Sequence, residues 1–118
     1  MRPTKLYAIP RTNALNPRKV LHRVVNLSFR DSLRLQARML DVSPSGITMM
    51  SPLQIAKGNI GDIRFDVPLN GEFPQVHAVS KSLDCVCICT QGFRTNLRFI
   101  QIDAVSKRVL SDLLRHGL

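Results

Sequence analysis

The sequence predicts a mainly β fold: a small antiparallel β-barrel with one amphipathic α-helix at its C-terminal end. Three observations carry that prediction. Short apolar–polar alternations recur from about residue 23 to residue 100, each stopped by Pro, Gly, Asn or Asp. Over residues 103–116 the apolar period changes from that of a strand to that of a helix. A length of 118 residues, 44% hydrophobic, supports one domain with one core.

Residues 1–15 hold two prolines and no sustained period, so a flexible basic arm precedes the domain, which is placed at residues 16–118. Strand one covers about 23–29 and ends in the turn Arg30-Asp31-Ser32. Strand two, 33–41, sets Leu33, Leu35, Ala37 and Met39 against Arg34, Gln36 and Arg38. The turn Asp41-Val42-Ser43-Pro44-Ser45-Gly46 follows, with strand three at 47–50 behind it. After a loop through Pro52 and Lys57-Gly58-Asn59, strand four covers 63–67 and Pro68-Leu69-Asn70-Gly71 turns it. Strand five is expected over about 73–83, strand six over 86–89 and, past Gln91-Gly92, strand seven over 95–100. Val105, Val109, Leu110, Leu113 and Leu114 then fall at helical spacing; Asp103 can cap the helix and Gly117 can end it. That helix covers the sheet.

Charge is unevenly distributed. Of the net +9, residues 1–40 carry nine Lys or Arg against Asp31 alone, and the remainder carries eight against seven acids. A cationic half predicts an anionic partner. No run approaches the roughly 20 apolar residues of a membrane span, and Pro3, Lys5, Pro10, Arg11 and Asn13 break any secretory core near the start. A cytoplasmic protein is expected. Cys85, Cys87 and Cys89 alternate on a strand, about 7 Å apart and too far for comfortable disulfides. Core or barrel-wall packing is the expectation, with a metal or redox role for the thiols as its alternative. No metal site, no cofactor and no enzymatic activity is expected, because His22, His77 and His116 are scattered and no nucleophile–base pair or phosphate-binding glycine loop is present.

Two polar segments remain. Arg18-Lys19-x-x-x-Arg23 lies upstream, and Asp41-x-Ser43-x-x-Gly46 follows about 20 residues later. Together they resemble the two-part signature of the PilZ domain, a bacterial receptor for the second messenger cyclic di-GMP. The second part matches in full; in the first, Lys19 stands where the family has its leading arginine and Arg18 immediately precedes it. The resemblance covers roughly residues 16–116 and implies the same barrel with a closing helix.

The chemistry fits that ligand. An arginine fork matches guanine O6 and N7 and can stack on the ring. Asp41 offers an acceptor for guanine N–H groups, Ser43 can bond a phosphate or purine atom, and Gly46 permits a positive φ or the close approach of another group. The site is therefore assigned to Arg18, Lys19, Arg23, Asp41, Ser43 and Gly46, with Ser45, Lys81 and Arg98 as weaker candidates; Arg23 and Asp41 are expected to matter most. The surplus of cations suggests uptake of cyclic di-GMP as an intercalated dimer. With no second domain in view, a stand-alone adaptor that changes conformation and regulates a downstream protein partner is expected, with motility, biofilm or polysaccharide outputs implied by the family. The alternatives are an atypical PilZ module working through protein contacts, or a basic barrel binding nucleic acid. Against the latter, only 5% of the chain is aromatic and Trp is absent.

Overall fold

The computed structural model describes residues 18–30 and 33–116, so the expected arm at 1–15 lies outside the described residues. The elements are β1 (Lys19–Val20), β2 (Val24–Phe29), β3 (Arg34–Ser43), β4 (Gly46–Ser51), β5 (Ile60–Asp66), β6 (Gln75–Cys87), a 3-10 turn (Cys89–Gln91), β7 (Phe93–Ile102) and α1 (Ala104–His116). All pairings are antiparallel, in the order β1-β3-β2-β5-β6-β7-β4, and a further β3–β4 pairing closes six strands into a barrel. Among the described residues, closure leaves only the two-residue β1 outside the ring, alongside the second half of β3.

The alternation of the sequence sets the register. One rung runs Leu35, Leu27, Ile63, Ala78 and Ile102 across β3, β2, β5, β6 and β7, and each member is buried in the core or packed against it. The adjacent rung runs Gln36, Asn26, Arg64 and His77 and faces outward. Slipping a strand by one residue would exchange the two sets. Each buried Leu or Ile stabilises by about 1.5–3 kcal/mol, so a slipped register loses several such terms at once.

Where strands five and six were expected, one strand, β6, runs through. Asp84, which falls in the expected gap between them, sits at a register shift between Ser82 and Asp84; a second shift lies between Val79 and Ser80. Each absorbs an irregularity without ending the ladder. The cysteines also depart from expectation. Cys85 is half-buried, while Cys87, the last residue of β6, and Cys89, the first of the 3-10 turn, are exposed. Among the described residues no three His, Cys, Asp or Glu side chains gather as a metal site, and no helix is long and apolar enough to cross a membrane.

Helix α1 takes over where β7 stops. Ile102 is the last β7 residue opposite β6, so the His77 N–H has no ladder partner beyond it; it donates instead to Ser106 Oγ at 2.9 Å. Ser106, Leu110 and Leu113 form the inward stripe. Val105, expected on that stripe, is 72% exposed because Ser106 holds the inward position of the first turn. The Asp103 cap is present: the Ser106 N–H donates to Asp103 Oδ1 at 2.7 Å. That hydrogen bond is the main cause holding the Asp103 carboxyl below its usual pKa. A depressed folded-state pKa means that the cap contributes fully above the usual carboxylate range and is lost as pH falls through the folded value. The melting temperature of Asp103→Ala should therefore lie below the parent's at neutral pH, with the gap narrowing in acid. A gap that stays constant in melts followed by circular dichroism down to about pH 3 would contradict this.

Candidate functional site

The site is built on β3, which is long enough to carry two partners end to end on one side. Its first half pairs with β2 and its second half with β1. Between them, Leu21, His22 and Arg23 leave strand geometry but stay tethered, Leu21 N–H donating to the Leu40 carbonyl and Met39 N–H to the Arg23 carbonyl. This interruption separates the cations of the upstream segment.

Val20 lies opposite Asp41 and Lys19 opposite Val42. Because alternate residues take opposite faces, Arg18 shares the face of Asp41, and its Nη1 donates to Asp41 Oδ1 at 2.7 Å. Lys19 falls on the face of the fully buried Val42, away from that carboxylate. Arg23 goes elsewhere again. Its guanidinium donates to Asp66 Oδ1 through Nε, at 2.8 Å, and through Nη2, and it lies over the Phe73 ring, 4.8 Å from the centroid. The motif cations therefore do not converge: Arg18 joins Asp41, and neither Lys19 nor Arg23 does.

The turn residues have structural duties. Ser43 is fully buried; it accepts from the Ser45 N–H and donates to the Gly46 carbonyl, both at 3.3 Å. Expected to face a phosphate or purine, it is instead taken up by the turn, and exposed Ser45 presents the neighbouring hydroxyl. Gly46 is needed for close approach, but to this chain's own backbone: a Cβ there would lie 2.1 Å from the Leu97 carbonyl oxygen on β7. The turn is thus pressed against β7, and Phe99 N–H donates to the Ser45 carbonyl at 2.8 Å.

Beside that seam opens a cleft of ≈ 440 Å³ lined by Arg18, Ser45, Gly46, Leu83, Asp84, Asn96 and Arg98, among others. Its volume is within the usual range of small-molecule sites, about 300–1,000 Å³. Arg98 lies opposite Gly46 on one side and Lys81 on the other; Arg98 lines the cleft and Lys81 is not among its lining residues. A larger depression of ≈ 680 Å³ lies on the outer face of β2, β3 and β5 at Asn26, Arg34, Gln36, Asp62 and Arg64. It is an open polar strand surface and contains none of the motif residues.

Asp84 and Asn96 were missed in the sequence. Asn96 donates from Nδ2 to Asp84 Oδ1 at 2.8 Å and accepts at Oδ1 from the Thr48 hydroxyl at 2.7 Å. The available signal was the acid interrupting an apolar run at Leu83-Asp84-Cys85; it marks a bulge rather than a strand end. Asp66 and Phe73, the partners of Arg23, carry no sequence signal that couples them to it.

No family model matches the sequence, and no curated protein matches it. Solved structures do. The motility inhibitor MotI of Bacillus subtilis superposes with a TM-score of 0.68 at 15% identity, over 84% of this chain and 46% of its own. The PilZ domain of YcgR from Escherichia coli, solved with cyclic di-GMP, gives 0.64 at 15% identity, over 85% of this chain and 87% of its own. PlzA of Borreliella burgdorferi, also solved with cyclic di-GMP, gives 0.52 at 16% identity, over 77% of this chain and 32% of its own. This chain thus spans about half the length of MotI and most of the isolated YcgR domain.

Proposed function

We propose that this chain, which has the fold of the PilZ domain, is a cyclic di-GMP receptor that acts on a partner protein rather than as an enzyme. The observation that carries the reading is the cleft at the β3–β4 turn, where Arg18, Ser45, Gly46 and Arg98, remote in sequence, meet beside Asp41. Two arginines suit the two phosphates of the dinucleotide and can stack on its guanines. A ligand phosphate competes with Asp41 for Arg18. The pair is half exposed and is worth about 0–1 kcal/mol, so a ligand contact outweighs it. Breaking it frees β1, which holds β3 through only two residue pairs. That release is the conformational change offered to a partner, in a cytoplasmic setting.

One observation favours a second reading. Arg23, one of the three upstream cations, is held by Asp66 and Phe73, as suits a PilZ module that works through protein contacts without the nucleotide.

Calorimetric titration decides between them. Cyclic di-GMP should bind in preference to GTP, GMP and cyclic AMP, with two molecules per chain if the intercalated dimer forms; saturation at one removes the dimer, and absence of binding leaves the protein-contact reading. Steep salt dependence with an oligonucleotide would instead indicate a nucleic-acid barrel.

A further inference from the structure

Two irregularities in the ladders flank the cleft, and each is followed by an aspartate. The register of β3 shifts between Met39 and Asp41, and that of β6 shifts between Ser82 and Asp84. Bulges re-aim side chains and gather beside functional sites. Here one presents Asp41 to Arg18 and the other turns Leu83 and Asp84 into the cleft wall. The two carboxylates differ in what holds them. Asp41 is occupied by a guanidinium and is not among the residues lining the cleft, whereas Asp84 lines it and, among the described residues, pairs with no Lys or Arg. Its one anchor is the Asn96 amide, itself fixed by the Thr48 hydroxyl. Thr48 is 92% buried, so the chain Thr48–Asn96–Asp84 runs from the barrel wall outward and ends in an exposed carboxylate.

We infer that Asp84, positioned by Asn96, is the residue that reads a guanine base in this cleft. The inference rests on the cyclic di-GMP reading above. A carboxylate only accepts hydrogen bonds, and guanine offers two adjacent donors, N1–H and the 2-amino group. Adenine has a bare acceptor at N1 and no 2-amino group, so the same carboxylate rejects it. Asp84 Oδ1 is held by Asn96, which fixes the plane of the carboxylate and leaves lone pairs on both oxygens for those donors. Arg18 and Arg98 lie in the same cleft for the phosphates. The site thus separates its tasks: arginines take charge, and Asp84 takes base identity.

The test pairs a variant with a ligand change. Cyclic di-GMP is compared with cyclic di-IMP, whose hypoxanthine lacks only the 2-amino group, and with cyclic di-AMP. The parent should bind cyclic di-GMP about ten- to a hundredfold more tightly than cyclic di-IMP, the range for one hydrogen bond to a charged group, and should reject cyclic di-AMP. In Asp84→Asn, whose amide has a single acceptor oxygen, cyclic di-GMP should weaken while the ratio between the first two ligands falls toward one. In Asn96→Ala, where the carboxylate remains but loses its anchor, the ratio should fall part of the way. A merely structural role would weaken both ligands equally; that result, or unchanged binding, overturns the inference and leaves the receptor reading intact. A parent that binds none of the three overturns both.

Discussion

Gly46→Ala should unfold this protein at a temperature on the order of 15 °C below the parent, the largest stability effect expected of a change in the motif segments. Its Cβ would lie 2.1 Å from the Leu97 carbonyl oxygen and 3.1 Å from Arg98 Cα, both backbone atoms that no side-chain rotation can move aside. β4 and β7 must therefore separate at the Gly46–Arg98 pair. Overpacking costs about 1–3 kcal/mol and more where backbone must shift, in a domain whose total stability is about 5–15 kcal/mol; each kcal/mol moves the midpoint by roughly 4–8 °C at this size. A melting temperature within a few degrees of the parent would show that the strands yield easily. The consequence for interpretation is direct: lost ligand binding in this variant reports a damaged barrel, not a lost contact with ligand.

Arg18→Ala should show the opposite signature, with cyclic di-GMP affinity falling about ten- to a hundredfold while the fold is kept. The affinity loss is that of one charge-assisted bond, about 1.5–3 kcal/mol. The stability loss is small because the Arg18–Asp41 pair is half exposed, its side chains 42% and 26% accessible, and such pairs contribute about 0–1 kcal/mol. Arg23→Ala should cost less affinity than Arg18→Ala. To meet a ligand in the cleft, Arg23 must first leave Asp66 and the Phe73 ring, so what it gains there is offset by what it gives up. Titrations of both variants, with thermal melts alongside, check the ranking. Equal affinities for parent and Arg18→Ala would remove Arg18 from the site; a greater loss in Arg23→Ala would restore the order expected from sequence alone.

The barrel was legible because its strands alternate cleanly: Val25, Leu27 and Phe29 face inward, as do Ala37 and Met39, at the period the sequence shows. The helix and its Asp103 cap were legible for the same local reason. What local pattern could not convey was longer range. The Ser82–Asp84 bulge looks like a strand end until β7 is seen to pair across it. The burial of Ser43 follows from the turn's closure on β7, not from its neighbours in the chain. Likewise, Arg23 and Asp66 are 43 positions apart, and their pairing follows from β2 lying beside β5. Lys19 was read as a lysine in an arginine position; its register opposite Val42 now matters more than its charge.

The seam between β4 and β7 also bears on how the protein reaches its working form. Thr48 and Asn96, bonded across that seam, are 48 positions apart, so joining them closes a long loop and is entropically among the costlier steps of folding. Hairpins such as β3–β4 and β5–β6 need no such closure and can form early, in microseconds for an isolated hairpin, whereas all-β domains rich in distant pairings complete folding in about milliseconds to seconds. Both walls of the cleft belong to the strands that this late step brings together. A nascent or partly unfolded chain accordingly lacks the cleft, which exists only in the finished barrel.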